Sequence, residues 1–599
     1  MSPDRLWGPE HTSGGVRFRL WAPACAALHL RLDGAEHAMR GDADGWFEVT
    51  LPAAPGAHYA FVLEDGTAVP DPAARAQAGC VHGPSRLVDP DAYSWRTADW
   101  RGRRWEEAAI CEIHVGAFTP EGTFRAAIDR LGHLAETGFT AIELMPVAQF
   151  AGSRGWGYDG VLPFAPHPAY GTPDDLKALV DAAHERGLMV LLDVVYNHFG
   201  PEGNYLGEYA TAFFHPEDHT PWGVAIAYER TPVRRFFIEN ALYWIGEFRL
   251  DGLRIDAADH VRDPGSPVEI LIGLAQEVHA AFPDRLVHLT TEDNRNITRL
   301  HERGPGGAVA LYTGEWNDDL HNAAHVIATG ETEGYYIDFA DERWRLFARA
   351  LAEGFAYQGE PSHYGDGAAR GFPSGHLPPT AFVDFLQNHD QIGNRAFGER
   401  LITLTHPAME RALTAILLVS PHVPLMFMGE DWGETRPFAF FTDFEGELAR
   451  AVRDGRRREF AKFAAFEDPA SRDAVPDPND PGTFTASKLD WAKPATKPGR
   501  ARLAFTRDLL ALRLREVAPL LRGAPPHSGR VLAAEDGAVA VRWDLGASAL
   551  TLRANLADAP RDPPETLGRP LFSCGGGAAT GTMPPRSVAW TVAPAERGR

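Results

Sequence analysis

Phe248-Arg249-Leu250-Asp251-Gly252-Leu253-Arg254-Ile255-Asp256 is a short apolar run closed by a carboxylate. Two later stretches repeat the design. Leu286–Glu292 reads LVHLTTE, and Phe382–His389 reads FVDFLQNH with Asp390 next. Each reads as a buried strand that ends in a charge. Parallel barrels carry their chemistry at the C-terminal ends of their strands. Paired carboxylates at such ends are the working groups of glycoside hydrolysis.

Around these three stretches, strands and helices alternate, the mark of βα units. Strands are expected at Ala109–Val115, Ala141–Met145, Leu188–Val194, Gly252–Asp256, Leu286–Thr291, Ala308–Tyr312, Phe382–Gln387 and Val423–Met428. The clearest helix runs from Pro173 to Arg186. Thr172 can cap it, Pro173 suits its first position, and Gly187 ends it. Leu176, Leu179, Val180 and Ala183 fall on one buried face. Other helices are predicted at Val233–Glu247, Val268–Ala281, Pro407–Val419 and Ala501–Leu514. Eight parallel strands with helices outside make an α/β fold, a (β/α)8 TIM barrel, over residues 96–522. A short loop insertion at 197–231 and a long aromatic and charge-rich one at 431–498 interrupt it.

Both flanks read as all-β. Residues 1–95 hold short strands at Val16–Trp21, Ala27–Leu32, Trp46–Leu51 and His58–Leu63, separated by turn residues. That suits a small β-sandwich, of carbohydrate-binding type or simply a buttress for the barrel. Residues 523–599 read as a second β-sandwich, with strands at Val531–Ala533, Ala538–Trp543, Ala549–Ala554 and Ser587–Val592. The run Ser573-Cys574-Gly575-Gly576-Gly577 is a turn and not a phosphate loop, because no Lys follows.

Bulk composition narrows the partners. The chain has 599 residues, 58 Lys+Arg against 81 Asp+Glu, and a net charge of -23. Such a balance disfavours nucleic acid and favours a neutral ligand. The four cysteines, Cys25, Cys80, Cys111 and Cys574, are scattered, which indicates neither a disulfide framework nor a zinc site. The start, MSPDRLWGPEH, shows no basic-then-apolar leader, and no apolar run suggests a membrane span. A cytoplasmic enzyme that needs no metal or cofactor is the expectation.

The chemistry is read residue by residue. Arg254 and Asp256 share a strand face, so a guanidinium would favour the ionised carboxylate that a nucleophile requires. An ion pair closing the strand end is the blander reading. Glu292 could be a general acid if burial or a neighbouring carboxylate keeps it protonated; otherwise it is a helix-start acid. Asp390 would be that neighbour, or an ordinary loop cap. Asp193–His198, DVVYNH, ends another strand. There Asp193 and Asn197 could organise the loop while His198 reaches a substrate hydroxyl, and His389 has the same two readings, structural or ligand. Tyr158, in the run Gly155-Trp156-Gly157-Tyr158-Asp159-Gly160, could stack on a sugar ring or simply pack the loop.

Taken in order, at the ends of strands three, four, five and seven, these signals resemble the α-amylase superfamily, glycoside hydrolase family 13. Its four signature regions match Asp193–His198, Gly252–Asp256, Glu292 with its flanks, and Gln387–Asp390. The resemblance implies a retaining hydrolase in which Asp256 is the nucleophile, Glu292 the acid/base and Asp390 the transition-state stabiliser. Arg254, His198, His389 and Tyr158 would line the subsite of the attacked sugar. The segments RGWGYDGV (154–161), TEDNRN (291–296), QNHDQIGNR (387–395), EIHVGAFT (112–119) and MGEDW (428–432) resemble the malto-oligosyltrehalose trehalohydrolases within that superfamily. By that likeness the substrates are maltooligosyltrehalose and related α-glucans. Asp259 and His260 follow the nucleophile where α-amylases commonly have Lys-His, and are expected to hold the trehalose leaving group. An α-1,4-glucan branching enzyme shares the chemistry and the front domain. A catalytically inactive glycan-binding protein is the alternative of another class, although all three carboxylates are present.

Overall fold

The computed structural model describes residues 5–461 and 468–595. Its centre is a closed barrel of eight parallel strands in chain order. They are Ile110–Ile113, Ala141–Leu144, Met189–Val194, Gly252–Ile255, His288–Thr291, Gly314–Trp316, Phe382–Asp384 and Val423–Phe427. The eighth pairs with the first, with Ile110 opposite Leu425. Every residue of these strands is buried. They therefore read as near-continuous apolar runs, as parallel strands covered on both faces do. The register sets Asp193 beside Arg254 and Arg254 beside Thr290, which levels the polar strand ends at one rim.

Local chemistry explains the elements. The helix Pro173–Glu185 begins with a reciprocal capping box between Thr172 and Asp175, which satisfies two orphan backbone donors. At Gly252 an added Cβ would meet the His288 carbonyl oxygen at 1.9 Å, so no larger residue fits where the fourth strand abuts the fifth. Helices Thr231–Glu247, Ile270–Ala281 and Pro407–Val419 cover the outside. The helix Lys497–Leu512 starts before the expected Ala501 because Thr496 caps it, and it runs on into a π-helical turn over Arg513–Val517.

The sixth strand is a correction. Ala308–Tyr312 is not a strand of the barrel; Gly314–Trp316 is. Gly306 and Gly307 adopt positive φ, and Arg303 bridges back to Val309. The apolar residues 308–310 are therefore left exposed on a loop. The ladder takes Gly-Glu-Trp instead, because Glu315 is held inside by Thr291 and by His301 at 3.2 Å.

The front domain is two antiparallel sheets. One holds Gly15–Trp21 and Trp46–Leu51, the other His29–Leu32 and His58–Val62. Trp7 locks it to the barrel. The ring meets Trp46 and Phe236 edge-on, each at 5.0 Å, and its indole N–H donates to the Pro232 carbonyl at 2.9 Å. The C-terminal domain is one five-stranded antiparallel sheet, which includes an unexpected strand at Arg569–Cys574. Barrel helices take the place of a second sheet there. The Trp543 indole donates to Leu351 and the Trp590 indole to Ala415.

Two excursions shape the rim. The short one folds as a hairpin, Phe214–Thr220 with Gly223–Ile226, and presents Trp222 at its turn. The long one, 431–498, contains helices Gly446–Phe460 and Pro481–Ala486; its residues 462–467 lie outside the described residues. No helix among the described residues is long and apolar enough to cross a membrane.

Candidate active site

Arg254 organises the rim. It is fully buried, and its guanidinium lies 4.2 Å over the Trp316 ring. Nη1 donates to Asp193 Oδ2 at 2.5 Å and to Asp256 Oδ1 at 3.0 Å, while Nη2 donates to Glu292 Oε2. One cation thus gathers carboxylates from the ends of strands three, four and five. Asp256 is further fixed by Asn197, whose amide donates to its Oδ2 at 3.1 Å and to its carbonyl at 3.0 Å. Glu292 accepts a second bond from the Ala257 N–H at 3.2 Å. Ala257 holds φ at 39°, a left-handed conformation uncommon for a residue with a Cβ, and that turn aims the N–H at Glu292.

The seventh strand delivers the third carboxylate. Asn388 caps the short helix His389–Gly393, which places His389 inward and Asp390 on the cleft floor. His389 Nδ1 pairs with Glu112 Oε1 at 2.5 Å, its backbone N–H donates to Glu112 Oε2 at 3.1 Å, and its Nε2 lies 3.6 Å from Asp390. Burial pulls the imidazole down, but the charges of Glu112 and Asp390 outweigh it and lift it to about 9. His389 is therefore an imidazolium at neutral pH. Burial raises the Asp390 carboxyl above its ordinary range; Glu292 adds to that, and His389 opposes it.

Tyr158 stacks on His389 with centroids 5.1 Å apart, and its hydroxyl donates to Asp193 at 2.5 Å. Burial pushes Asp193 up to about 7 against the pull of Arg254. His198 lies between the Asn197 amide oxygen and the exposed Trp222 ring, which stacks at 5.1 Å. Burial holds it at about 4 and so uncharged at neutral pH. Asp259 and His260 sit on the turn after the fourth strand, 3.5 Å apart, with Trp222 edge-on to His260. Burial raises Asp259 to about 6, and Glu292 adds to the rise.

The structure brings together Asp256, Glu292, Asp390, Arg254, His389 and Tyr158. A cleft of about 810 Å³ opens beside them, lined by Glu292, Arg295, Asp318, Tyr335, Tyr364 and Asp390 among others. Asp256, Asp259 and His260 are not in that lining. Sequence reasoning missed four charged groups here. Glu112 orients His389. Glu143, its neighbour across the strands, is buried with neither oxygen bonded, and burial lifts it well above the carboxylate range. Glu315 backs the strand that carries Glu292, and Asp318 lies on the cleft floor. The signal available was a lone charge inside an apolar strand, as in Ile110–Ile113 and Ala141–Leu144. Among the described residues, no group of three or more His, Cys, Asp or Glu side chains is arranged to hold a metal ion.

Known proteins resemble this chain over most of its length. The alpha-amylase catalytic domain model matches residues 84–223, and a domain of unknown function, DUF3459, matches 526–590. The malto-oligosyltrehalose trehalohydrolase of Deinococcus radiodurans is 42% identical over 90% of this chain and 89% of its own. That of Saccharolobus solfataricus is 38% identical over 85% and 86%. The glucan branching enzyme GlgB of Corynebacterium jeikeium is more distant, 27% identical over 72% of this chain and 63% of its own. A solved structure titled a putative alpha amylase, from Salmonella typhimurium, superposes with a TM-score of 0.95 at 53% identity, covering 98% of this chain and all of that one.

Proposed function

The chain belongs to the malto-oligosyltrehalose trehalohydrolase family, and from that membership we propose how its site cuts the α-1,4-glucosidic bond next to a terminal trehalose. The enzyme is a glycoside hydrolase acting on α-glucans. Asp256 attacks the anomeric carbon, and Glu292 protonates the departing oxygen. A covalent glucosyl-enzyme forms; Glu292 then takes a proton from water, which releases the maltooligosaccharide. Asp390 and the His389 imidazolium hold the hydroxyls of the attacked ring as positive charge develops on it. Tyr158 offers that ring a flat aromatic face.

The observation that carries this reading is the single guanidinium bonded to both Asp256 and Glu292. It supports the close carboxyl spacing of a retaining pair, about 5–5.5 Å, over the roughly 6.5–9.5 Å that leaves room for an inverting enzyme's water. A second observation orients the substrate. The large cleft is lined by the acid and by Asp390 but not by the nucleophile, so it runs from the attacked ring out to the side from which the leaving group departs. Its volume is within the usual range for small-molecule sites, about 300–1,000 Å³. Trehalose occupies it in this reading. Asp259 and His260, with Trp222, lie outside that lining, on the turn after strand four, and would border the leaving group from that side. The four cysteines are unpaired, which supports a reducing, cytoplasmic setting.

Product analysis tests the assignment. Incubation with maltooligosyltrehalose should release free trehalose and a maltooligosaccharide shortened at that end. A parallel incubation with amylose should give no new α-1,6 branches. Branches without trehalose would move the chain to the branching enzymes, and sugar binding without turnover would make it a glycan-binding protein.

A further inference from the structure

The sixth barrel strand ends at Trp316, and the next three residues divide their work. Asn317 is fully buried, and its amide donates to the Gly354 carbonyl and to Asp384, each at 2.8 Å. Asp319 is also fully buried. It accepts bonds from Asn296 and from the Ala356 and Tyr357 N–H groups, and pairs with Arg370 at 2.7 Å. Between these two anchors lies Asp318, the first residue of the helix Asp318–Thr329. Its Oδ1 accepts from the Gln391 side-chain amide at 3.0 Å. The Gln391 oxygen in turn accepts the Asn388 N–H, so its orientation is fixed as well. No protein group among the described residues bonds Oδ2, and the residue lines the cleft beside Glu292 and Asp390.

A carboxyl held this rigidly, half-satisfied and facing a substrate cleft, is built for a ligand. Resting on the cleft assignment above, we propose that Asp318 is a specificity residue whose free oxygen hydrogen-bonds a hydroxyl of the leaving trehalose.

The surrounding charges define how it does so. Glu292 faces it from the end of strand five, Asp390 from the short helix after strand seven, and Arg370 from the segment between strands six and seven, while Asp319 follows it on its own helix. Burial first, then the charges of Glu292 and Asp390, push the Asp318 carboxyl up to about 8, with Arg370 opposing. At neutral pH it holds a proton and offers the sugar both a donor and an acceptor. An asparagine offers the same pair. A site built to hydrogen-bond a substrate hydroxyl discriminates strongly against leaving groups that lack it.

The test compares two leaving groups at pH 6.5. kcat/KM is measured on maltooligosyltrehalose and on a 4-nitrophenyl α-maltooligoside, whose aryl leaving group has no sugar hydroxyl. Asp318→Ala should lose roughly 30-fold on the first substrate and under about threefold on the second. Trehalose should inhibit that variant correspondingly less. Asp318→Asn should stay within about threefold of the parent on both. If Asp318→Ala does not fold, Asp318→Ser, which keeps a hydroxyl at the helix start, takes its place. Equal losses on both substrates, no loss on either, or an Asn variant as damaged as the Ala one would overturn the proposal. Parent enzyme that releases no trehalose would overturn the functional reading itself, which separates the two failures.

Discussion

At the residue scale, the site runs on one buried cation and the groups it gathers. Asp256→Ala or Glu292→Gln should lower kcat by at least about a thousandfold while leaving substrate affinity within roughly tenfold, as single-turnover kinetics and calorimetry would read it. Near-normal turnover in either variant contradicts the assigned roles. Glu112 bonds His389 through both of its oxygens. Its charge helps to raise the imidazole to about 9, above the ordinary value near 6.5. That raised value means the imidazolium and its contribution to stability are complete below about pH 6.5 and are lost as the pH rises through about 9. Glu112→Gln should therefore move the alkaline limb of the kcat/KM profile down by about one unit or more. An unmoved limb would show that His389 does not need Glu112. Asp256, Glu292 and Asp390 were legible in the sequence as candidates because each ends or follows an apolar strand. Glu112 and Glu143 were not, because a charge in the middle of such a strand breaks the pattern that identifies the strand. Asp318 follows a strand that was itself misplaced.

At the element scale, apolar runs locate seven of the eight barrel strands to within a few residues, while the sixth shows where that signal fails. Ala308–Tyr312 has the right composition, but Gly304–Gly307 and the Arg303 bridge turn its first residues out to solvent. Gly314–Trp316 is short and carries Glu315, whose carboxyl is accommodated inside by Thr291 and His301 while the backbone pairs with both neighbouring strands. No local pattern announces a side chain whose partners come from another segment. Cap chemistry, by contrast, is local and reads directly. Thr172→Ala should cost about 1 kcal/mol in denaturant unfolding by losing the capping box. Gly252→Ala should be far worse. Its methyl would strike the His288 carbonyl, forcing strands four and five apart where Arg254 and Glu292 emerge. It should lower stability by about 3 kcal/mol or more and activity with it. A Gly252→Ala protein that melts like the parent would contradict the strand packing described.

At the scale of the whole molecule, the barrel supplies the chemistry and the two β domains are bolted to its flanks by buried tryptophans. Turn-rich short strands made those domains legible, but not how they dock, since each contact joins residues far apart in the chain. Glu239, on a barrel helix, accepts the backbone N–H groups of Leu6 and Trp7 at 3.1 Å. Trp7→Ala should cost about 3–5 kcal/mol and give early unfolding of the front domain in scanning calorimetry; an unchanged profile would show that the domain docks elsewhere. The charge balance disfavours nucleic acid, and the family resemblance led to the glucan. What remains is whether residues from six strand ends act on one bond in the order described. Proton NMR of maltooligosyltrehalose hydrolysis, followed from the first minutes, answers it. The account predicts trehalose appearing in step with an equal amount of new reducing end, formed first as the α-anomer. A new end formed first as the β-anomer, or one that appears without trehalose, would contradict it.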